Sequence, residues 1–237
     1  MIHVTNKGVR VGKDGIVRAR AEFEEKHYTL LPGFLDPGPL GYLLRHVAAA
    51  QLIVKSEVNM KDEEFGQTLF VPLNEPAWFV LHLLLNSPKL FGLVAEITGC
   101  PEPNNFFGRI HRSLPDAAHQ IDWHNDADDH RMIGLWLNLS SGPWAGGLFQ
   151  LREKRSRRII FEIGGEAGRV SPGDAFIFRI SPELEHRVTP VEAGGPRTVG
   201  VGWFRKKDGW EAFAKSFFLP VKADSTSADS RAKIQTI

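Results

Sequence analysis

The residues of this chain best suited to chemistry begin at Trp123-His124-Asn125-Asp126, a His-x-Asp step. With nine histidines in 237 positions, about half an occurrence of such a step is expected by chance, so it needs support from elsewhere in the chain. At a strand end, residues i and i+2 project from one face, and His124 and Asp126 would offer an imidazole nitrogen and a carboxylate oxygen to one ion. A second histidine would complete a set of two His and one carboxylate. That set leaves positions open on an octahedral ion and is used for oxygen chemistry at non-haem Fe(II). His186 is the strongest candidate, because a Ser171-Pro172-Gly173-Asp174 turn leads into apolar Ala175-Phe176-Ile177-Phe178, and a second strand opens at His186-Arg187-Val188-Thr189-Pro190-Val191. Arg197 follows, with Val199, Val201 and Trp203 in matching parity. An arginine on an otherwise apolar strand face needs an anion, and its planar fork suits a carboxylate.

Elements must position these groups. Residues 1–31 read as short strands, since Ile2-His3-Val4 and Val9-Arg10-Val11 alternate, Lys13-Asp14-Gly15 is a turn signal, and 16–23 alternates again. Asp36-Pro37 opens a helix whose apolar residues recur three and four apart to about Val54, while 55–72 is polar, aperiodic and reads as a lid or a connection. Glu75-Pro76 starts a second helix, and Ser87-Pro88 a third that Gly99 closes. Beyond Pro101 the apolar residues fall into short runs: 106–111, 121–124, 132–139, 147–152, 158–163, 168–170, 175–179, 186–191 and 197–204 are expected strands, spaced as in a sandwich or barrel.

Composition narrows the function. The chain has 42% hydrophobic, 10% aromatic and 24% charged residues, which excludes a disordered or fibrous protein. Lys+Arg 29 against Asp+Glu 28 gives a net charge of +1, so no global field draws the chain to nucleic acid or membrane, and neither partner is expected. The basic run Arg152, Lys154, Arg155, Arg157, Arg158 is expected to be a solvated hairpin tip. Cys100 is the single cysteine, which excludes an intrachain disulfide or a zinc ribbon, and without an apolar block of signal-peptide length a cytoplasmic location is expected. One domain is expected over 1–222, with a hairpin and supporting helices in 1–100 and a β core in 101–210, followed by a flexible tail at 223–237. No motif speaks to oligomeric state.

The order of these motifs resembles the Fe(II)/2-oxoglutarate-dependent dioxygenases, most closely their prolyl-4-hydroxylase-like branch. The similarity runs from about Phe106 to Arg205. It includes His124-x-Asp126, Leu135-Trp136-Leu137-Asn138, Trp144-Ala145-Gly146-Gly147-Leu148, Pro172-Gly173-Asp174 with Phe178, His186 to Val191, and Arg197 with Gly202-Trp203-Phe204. Upstream, Tyr28-Thr29-Leu30-Leu31-Pro32-Gly33-Phe34-Leu35 is similar to the segment that leads into that branch's first helix. The resemblance implies a double-stranded β-helix, a jelly-roll, cupin-like barrel that is mainly β with N-terminal helices. It implies that His124, Asp126 and His186 bind iron, and that Arg197 holds the distal carboxylate of 2-oxoglutarate. It also implies an O2-dependent hydroxylation of a small molecule or peptide, with release of succinate and CO2. The branch often places a tyrosine shortly before its His-x-Asp, but both tyrosines here, Tyr28 and Tyr42, lie far upstream, and Arg109 or His111 is expected to take that place. Val199 stands where a serine is frequent, and Trp203 is a further candidate contact.

Three other readings compete. A non-redox cupin-like binding protein or isomerase would favour a His-x-His cluster, which is absent from the sequence. A zinc hydrolase could use the same three ligands with an open water position, but leaves Arg197 unexplained. A catalytically degenerate family member would keep the fold without turnover.

Overall fold

The computed structural model describes residues 2–58, 64–115, 117, 119–128, 130–166 and 170–206. A first hairpin, β1 (Ile2–Thr5) and β2 (Gly8–Val11), pairs Val4 with Val9. The next segment is a helix, α1 (Lys13–Lys26), and not the strand that alternation over 16–23 suggests. Ile16, Ala19 and Phe23 fall three and four apart, and Ala19 and Phe23 are buried in the core shared with the later helices. Val17, which alternation would turn inward, is 70% exposed. Ion pairs Arg20–Glu24 and Glu22–Lys26 span one helical turn on the outer face, and His27 ends the helix with a left-handed φ of 67°.

After β3 (Tyr28–Leu31), α2 (Pro37–Ala49) starts where Pro37 sets it but stops at Ala49, short of Val54. The described parts of 55–72 are not a loose connection. β4 (Ile53–Val58) and β5 (Glu64–Phe70) pair antiparallel, and β5 joins the main sheet. A polar, aperiodic stretch forms strands here because the ladder of its neighbours supplies backbone partners. Helices α3 (Pro76–Leu85) and α4 (Pro88–Thr98) follow, the latter closed by Gly99 at φ 68°, although Ser87 makes no side-chain cap.

Among the described residues the remaining elements are strands: β6 (Asn105–Ser113), β7 (Gln120–His124), β8 (Arg131–Asn138), β9 (Trp144–Gly146), β10 (Phe149–Glu153), β11 (Ile159–Ile163), β12 (Ala175–Arg179), β13 (Leu184–Val188), β14 (Val191–Gly194) and β15 (Arg197–Arg205). The run at 186–191 breaks in two, the one at 147–152 becomes a strand only from Phe149, and β14 pairs with β9, which precedes that run, in a small separate sheet. The expected strand at 168–170 and the expected tail at 223–237 lie largely or wholly outside the described residues. Eleven strands form one antiparallel sheet in the order β11-β10-β13-β7-β5-β6-β15-β8-β12-β3, with β4 on β5. The sheet curls on itself: Tyr28 of β3 and Phe161 of β11, at opposite ends of that order, stack with ring centroids 3.9 Å apart. The fold is therefore mainly β, a curled jelly-roll barrel braced by helices.

Side-chain parity separates two cores. Ile133, Leu135 and Leu137 of β8 face the helices, while Trp136 faces the interior of the curl with Phe149, Phe161, Phe176 and Phe178. On β15, Val199 and Val201 face that interior and Phe204 faces the helices. At about 1.5–3 kcal/mol for each large apolar side chain taken from water, the helices and the β1–β2 hairpin stiffen the outer wall of the barrel. No single helix among the described residues is long and apolar enough to cross a membrane.

Candidate active site

His124 ends β7 and His186 lies in the middle of β13, and the two are direct cross-strand partners. Their rings stand 4.2 Å apart between centroids, and a register shift follows at once between His186 and Val188. Phe149 stacks on the His186 ring at 5.6 Å and Phe178 meets it edge-on at 5.1 Å, so apolar packing fixes the imidazole plane. Asp126 sits two residues past β7 in a turn that Asn125 builds. The Asn125 amide donates to the carbonyls of Ser181 and Leu184, both at 2.6 Å, and its oxygen accepts from Ala127 N–H. The His186 Nε2 to Asp126 Oδ2 distance is 3.3 Å and the His124 Nε2 to Asp126 Oδ1 distance is 3.9 Å. Ligating atoms of the three lie within 4.8 Å of one another, a spacing one divalent ion can bridge.

Neighbours orient each group. His124 Nδ1 lies 2.8 Å from the Asp122 carbonyl, which assigns the proton to Nδ1 and leaves the Nε2 lone pair free. Burial, with the adjacent His186, pushes the His124 pKa down to about 4, so the ring is neutral and able to ligate at neutral pH. For Asp126 burial pushes upward, but His186, His124 and the Trp203 N–H outweigh it and hold the carboxyl below the usual range. Trp203 Nε1 donates to Asp126 Oδ2 at 2.8 Å, and Arg131 donates to Oδ1 at 3.2 Å while its guanidinium lies over the Trp203 ring at 3.9 Å. Arg131 went unnoticed in the sequence. A basic residue five positions after Asp126 carries no periodic signal, and only the pairing of β8 with β15 brings it to Trp203.

These side chains line one end of a cavity of about 530 Å³ that runs between β6, β7, β13, β15 and the β4–β5 hairpin. Arg197, the first residue of β15, lines it opposite Ser113 of β6 and is only 3% exposed. Its Nε and one Nη nitrogen have no hydrogen-bond partner among the described residues, the Trp136 ring lies 5.9 Å from its Cζ, and burial pushes its pKa down to about 10, which still leaves it charged at neutral pH. A buried, unpartnered guanidinium is costly unless an anion completes it. Its two free N–H groups form a fork that fits a carboxylate, so the donor set suits iron at one end of the cavity and a carboxylate at the other.

The other candidates divide. His111 of β6 is 6% exposed, lines the cavity, has no hydrogen-bond partner at Nδ1 among the described residues, and is pushed down to about 3 by burial and then by Arg109, Lys55 and Arg197. Arg109 lines the same wall but pairs with Glu57 at 3.1 Å. Trp136 stacks on Phe176 as barrel packing. His119 accepts from Leu114 N–H in the loop before β7, and Asp122 serves through its carbonyl and not its carboxylate.

Residues 109–205 match the family model described as the 2OG-Fe(II) oxygenase superfamily. No curated protein matches the sequence. Among solved structures, the chain is similar to a 2OG-Fe(II) oxygenase family oxidoreductase from Burkholderia pseudomallei (TM-score 0.61, 17% identity, covering 84% of this chain and 95% of that one). It is also similar to a Pseudomonas putida prolyl-4-hydroxylase (TM-score 0.57, 19% identity, 81% and 99% covered). A third is a Trichoplax adhaerens prolyl hydroxylase in complex with a hypoxia inducible factor peptide fragment (TM-score 0.59, 13% identity, 82% of each covered). At these identities the likeness speaks for a shared fold. Residues 109–205, which carry the His124, Asp126, His186 and Arg197 constellation, thus match the 2OG-Fe(II) oxygenase superfamily, whose chemistry uses Fe(II), 2-oxoglutarate and O2.

Proposed function

We propose that the protein is a hydroxylase of this superfamily, in which His124, Asp126 and His186 hold the iron and Arg197 holds the distal carboxylate of 2-oxoglutarate. The observation that carries this is the buried Arg197, without a hydrogen-bond partner among the described residues, lining the same cavity as the His-Asp-His cluster. Iron, 2-oxoglutarate and O2 together supply the oxidising power, with 2-oxoglutarate leaving as succinate and CO2. The chain contributes orientation. Burial keeps the His124 imidazole neutral, the Asp122 carbonyl fixes its tautomer, and Trp203 with Arg131 pins the Asp126 carboxylate in one rotamer. Phe149 and Phe178 exclude water behind His186, and Phe65 does so beside His124 with ring centroids 4.7 Å apart. His111, buried, neutral and lining the cavity, takes the place of the absent tyrosine as a polar contact for the co-substrate.

An anaerobic titration of the metal-free protein with Fe(II) and then 2-oxoglutarate tests this, read as a visible metal-to-ligand charge-transfer band. The wild type is expected to develop the band, His124→Ala is expected to lose it, and Arg197→Gln is expected to need far more 2-oxoglutarate. Stoichiometric metal binding without a band at any 2-oxoglutarate concentration would overturn the proposal in favour of a non-redox metal site.

A further inference from the structure

The wall of the cavity away from Arg197 has a charge pattern that the iron and co-substrate sites leave unused. On β6, Arg109 and His111 are two residues apart and both line the cavity, opposite Val201 and Val199 of β15. On the β4–β5 hairpin, Lys55 and Glu57 are likewise two apart and line the same space. Glu57 accepts from Arg109 at 3.1 and 3.3 Å and from Lys55 at 3.4 Å, so two cations share one carboxylate. None of the three is freely solvated, with side-chain exposures of 28% for Lys55, 26% for Arg109 and 16% for Glu57. Among the described residues one positive charge therefore finds no second carboxylate in this half-buried wall, where Lys55 otherwise has the Phe70 ring face at 5.7 Å. Lys55 also registers this, since burial and the facing Arg109 pull its pKa down. The remaining cavity carboxylates do not offset it: Asp126 belongs to the metal cluster, and Asp126 and Asp128 are both engaged by Arg131.

Resting on the function proposed above, we infer that the primary substrate carries an oxyanionic group, a carboxylate or its equivalent, which Lys55 and Arg109 hold on the hairpin side of the cavity. Along β15 the partner of Arg109, Val201, lies two residues from Trp203, about 7 Å, and Trp203 touches Asp126. An anion at Lys55 and Arg109 thus places a carbon a few bonds away beside the His-Asp-His cluster. Glu57 splays the two cations and keeps the wall from being a second strong site for 2-oxoglutarate itself, a dianion. Phe65 and Val201 give the same wall an apolar surface for the body of the substrate.

The test compares two probes of nearly equal shape, 3-phenylpropionate and 3-phenylpropionamide, titrated calorimetrically into protein carrying Mn(II) and 2-oxoglutarate in the absence of O2. The acid is expected to bind at least about tenfold more tightly than the amide, as a charge-assisted contact gives. Lys55→Gln and, separately, Arg109→Gln are expected to reduce that preference about tenfold while 2-oxoglutarate affinity stays unchanged. Equal binding of acid and amide, no binding of the acid at millimolar concentration, or a preference that survives both substitutions would each overturn the inference. The 2-oxoglutarate titration of the same protein reads the proposed function separately. If it fails, the probes are titrated without 2-oxoglutarate in wild type, Lys55→Gln and Arg197→Gln. Loss of the preference in Lys55→Gln still supports the anion site, and loss in Arg197→Gln alone overturns it.

Discussion

The indole N–H of Trp203 donates to Oδ2 of Asp126 at 2.8 Å across 77 residues of chain, and the same indole carries the Arg131 guanidinium on its face at 3.9 Å. One aromatic side chain therefore fixes the carboxylate of the metal cluster and the cation that binds its other oxygen. Replacing Trp203 by Phe keeps a ring for Arg131 and removes only the donor. Affinity for Mn(II), measured by calorimetry, is expected to fall about 10- to 100-fold, with a thermal midpoint close to wild type. An unchanged affinity would remove Trp203 from the positioning of Asp126.

Arg197 is buried with no carboxylate or hydrogen-bond acceptor among the described residues, only the Trp136 ring face at 5.9 Å, so its charge is poorly compensated in the ligand-free protein. Arg197→Met is expected to raise the stability of the ligand-free protein by about 1–3 kcal/mol in urea unfolding and to abolish the stabilisation that millimolar 2-oxoglutarate gives the Mn(II)-loaded wild type. A less stable ligand-free variant would show that the guanidinium is compensated within the fold.

Two histidines outside the metal cluster set an acid limit. His82, fully buried, has Nδ1 against the Trp78 carbonyl and accepts Gly108 N–H at Nε2, and burial pushes its pKa down to about 4; His111 is pushed down to about 3. Both folded values lie below the ordinary value of about 6.5, so the unfolded chain binds the proton first. Stability is full above about pH 6.5 and declines as pH falls toward 4. Between about pH 7.5 and pH 5 each histidine is expected to remove about 2 kcal/mol, and His82→Gln is expected to lose its share of that pH dependence. Equal slopes in wild type and variant would contradict the assignment.

Gly134 of β8 leaves room for Phe178, since a Cβ there would sit 2.2 Å from the Phe178 ring. Phe178 in turn packs on His186. Gly134→Ala is therefore expected to cost about 1–3 kcal/mol of stability and to weaken metal binding as well, because the displaced ring pushes on a ligating imidazole. Destabilisation with unaltered Mn(II) affinity would separate the packing from the site.

What the sequence determined was local or strictly periodic. His124-x-Asp126 at a strand end, the turn at 171–174 and its apolar strand, the parity of Arg197 with Val199, Val201 and Trp203, and the proline-led helices α2, α3 and α4 were all legible from the residues, and so was a β-rich sandwich or barrel, which the family resemblance narrowed to a jelly-roll. Where two periodicities fitted the same residues, sequence misled. At 16–23 charge and polarity permit both readings, and the helix won because Ala19 and Phe23 could be buried together against the other helices. At 55–72 no period shows, because those strands exist through the ladders of β5 with β6 and β7 rather than through their own pattern.

Only the tertiary structure decided which groups meet. The pairing of His186 with His124, the clamp of Trp203 and Arg131 on Asp126, the isolation of Arg197 and the sharing of Glu57 by Lys55 and Arg109 depend on strand register and sheet curl. Those are long-range properties, set by the burial of two opposite sheet faces at once. The residue types that can do the chemistry are written locally in the chain, while the partners that orient and charge them come from strands distant in sequence.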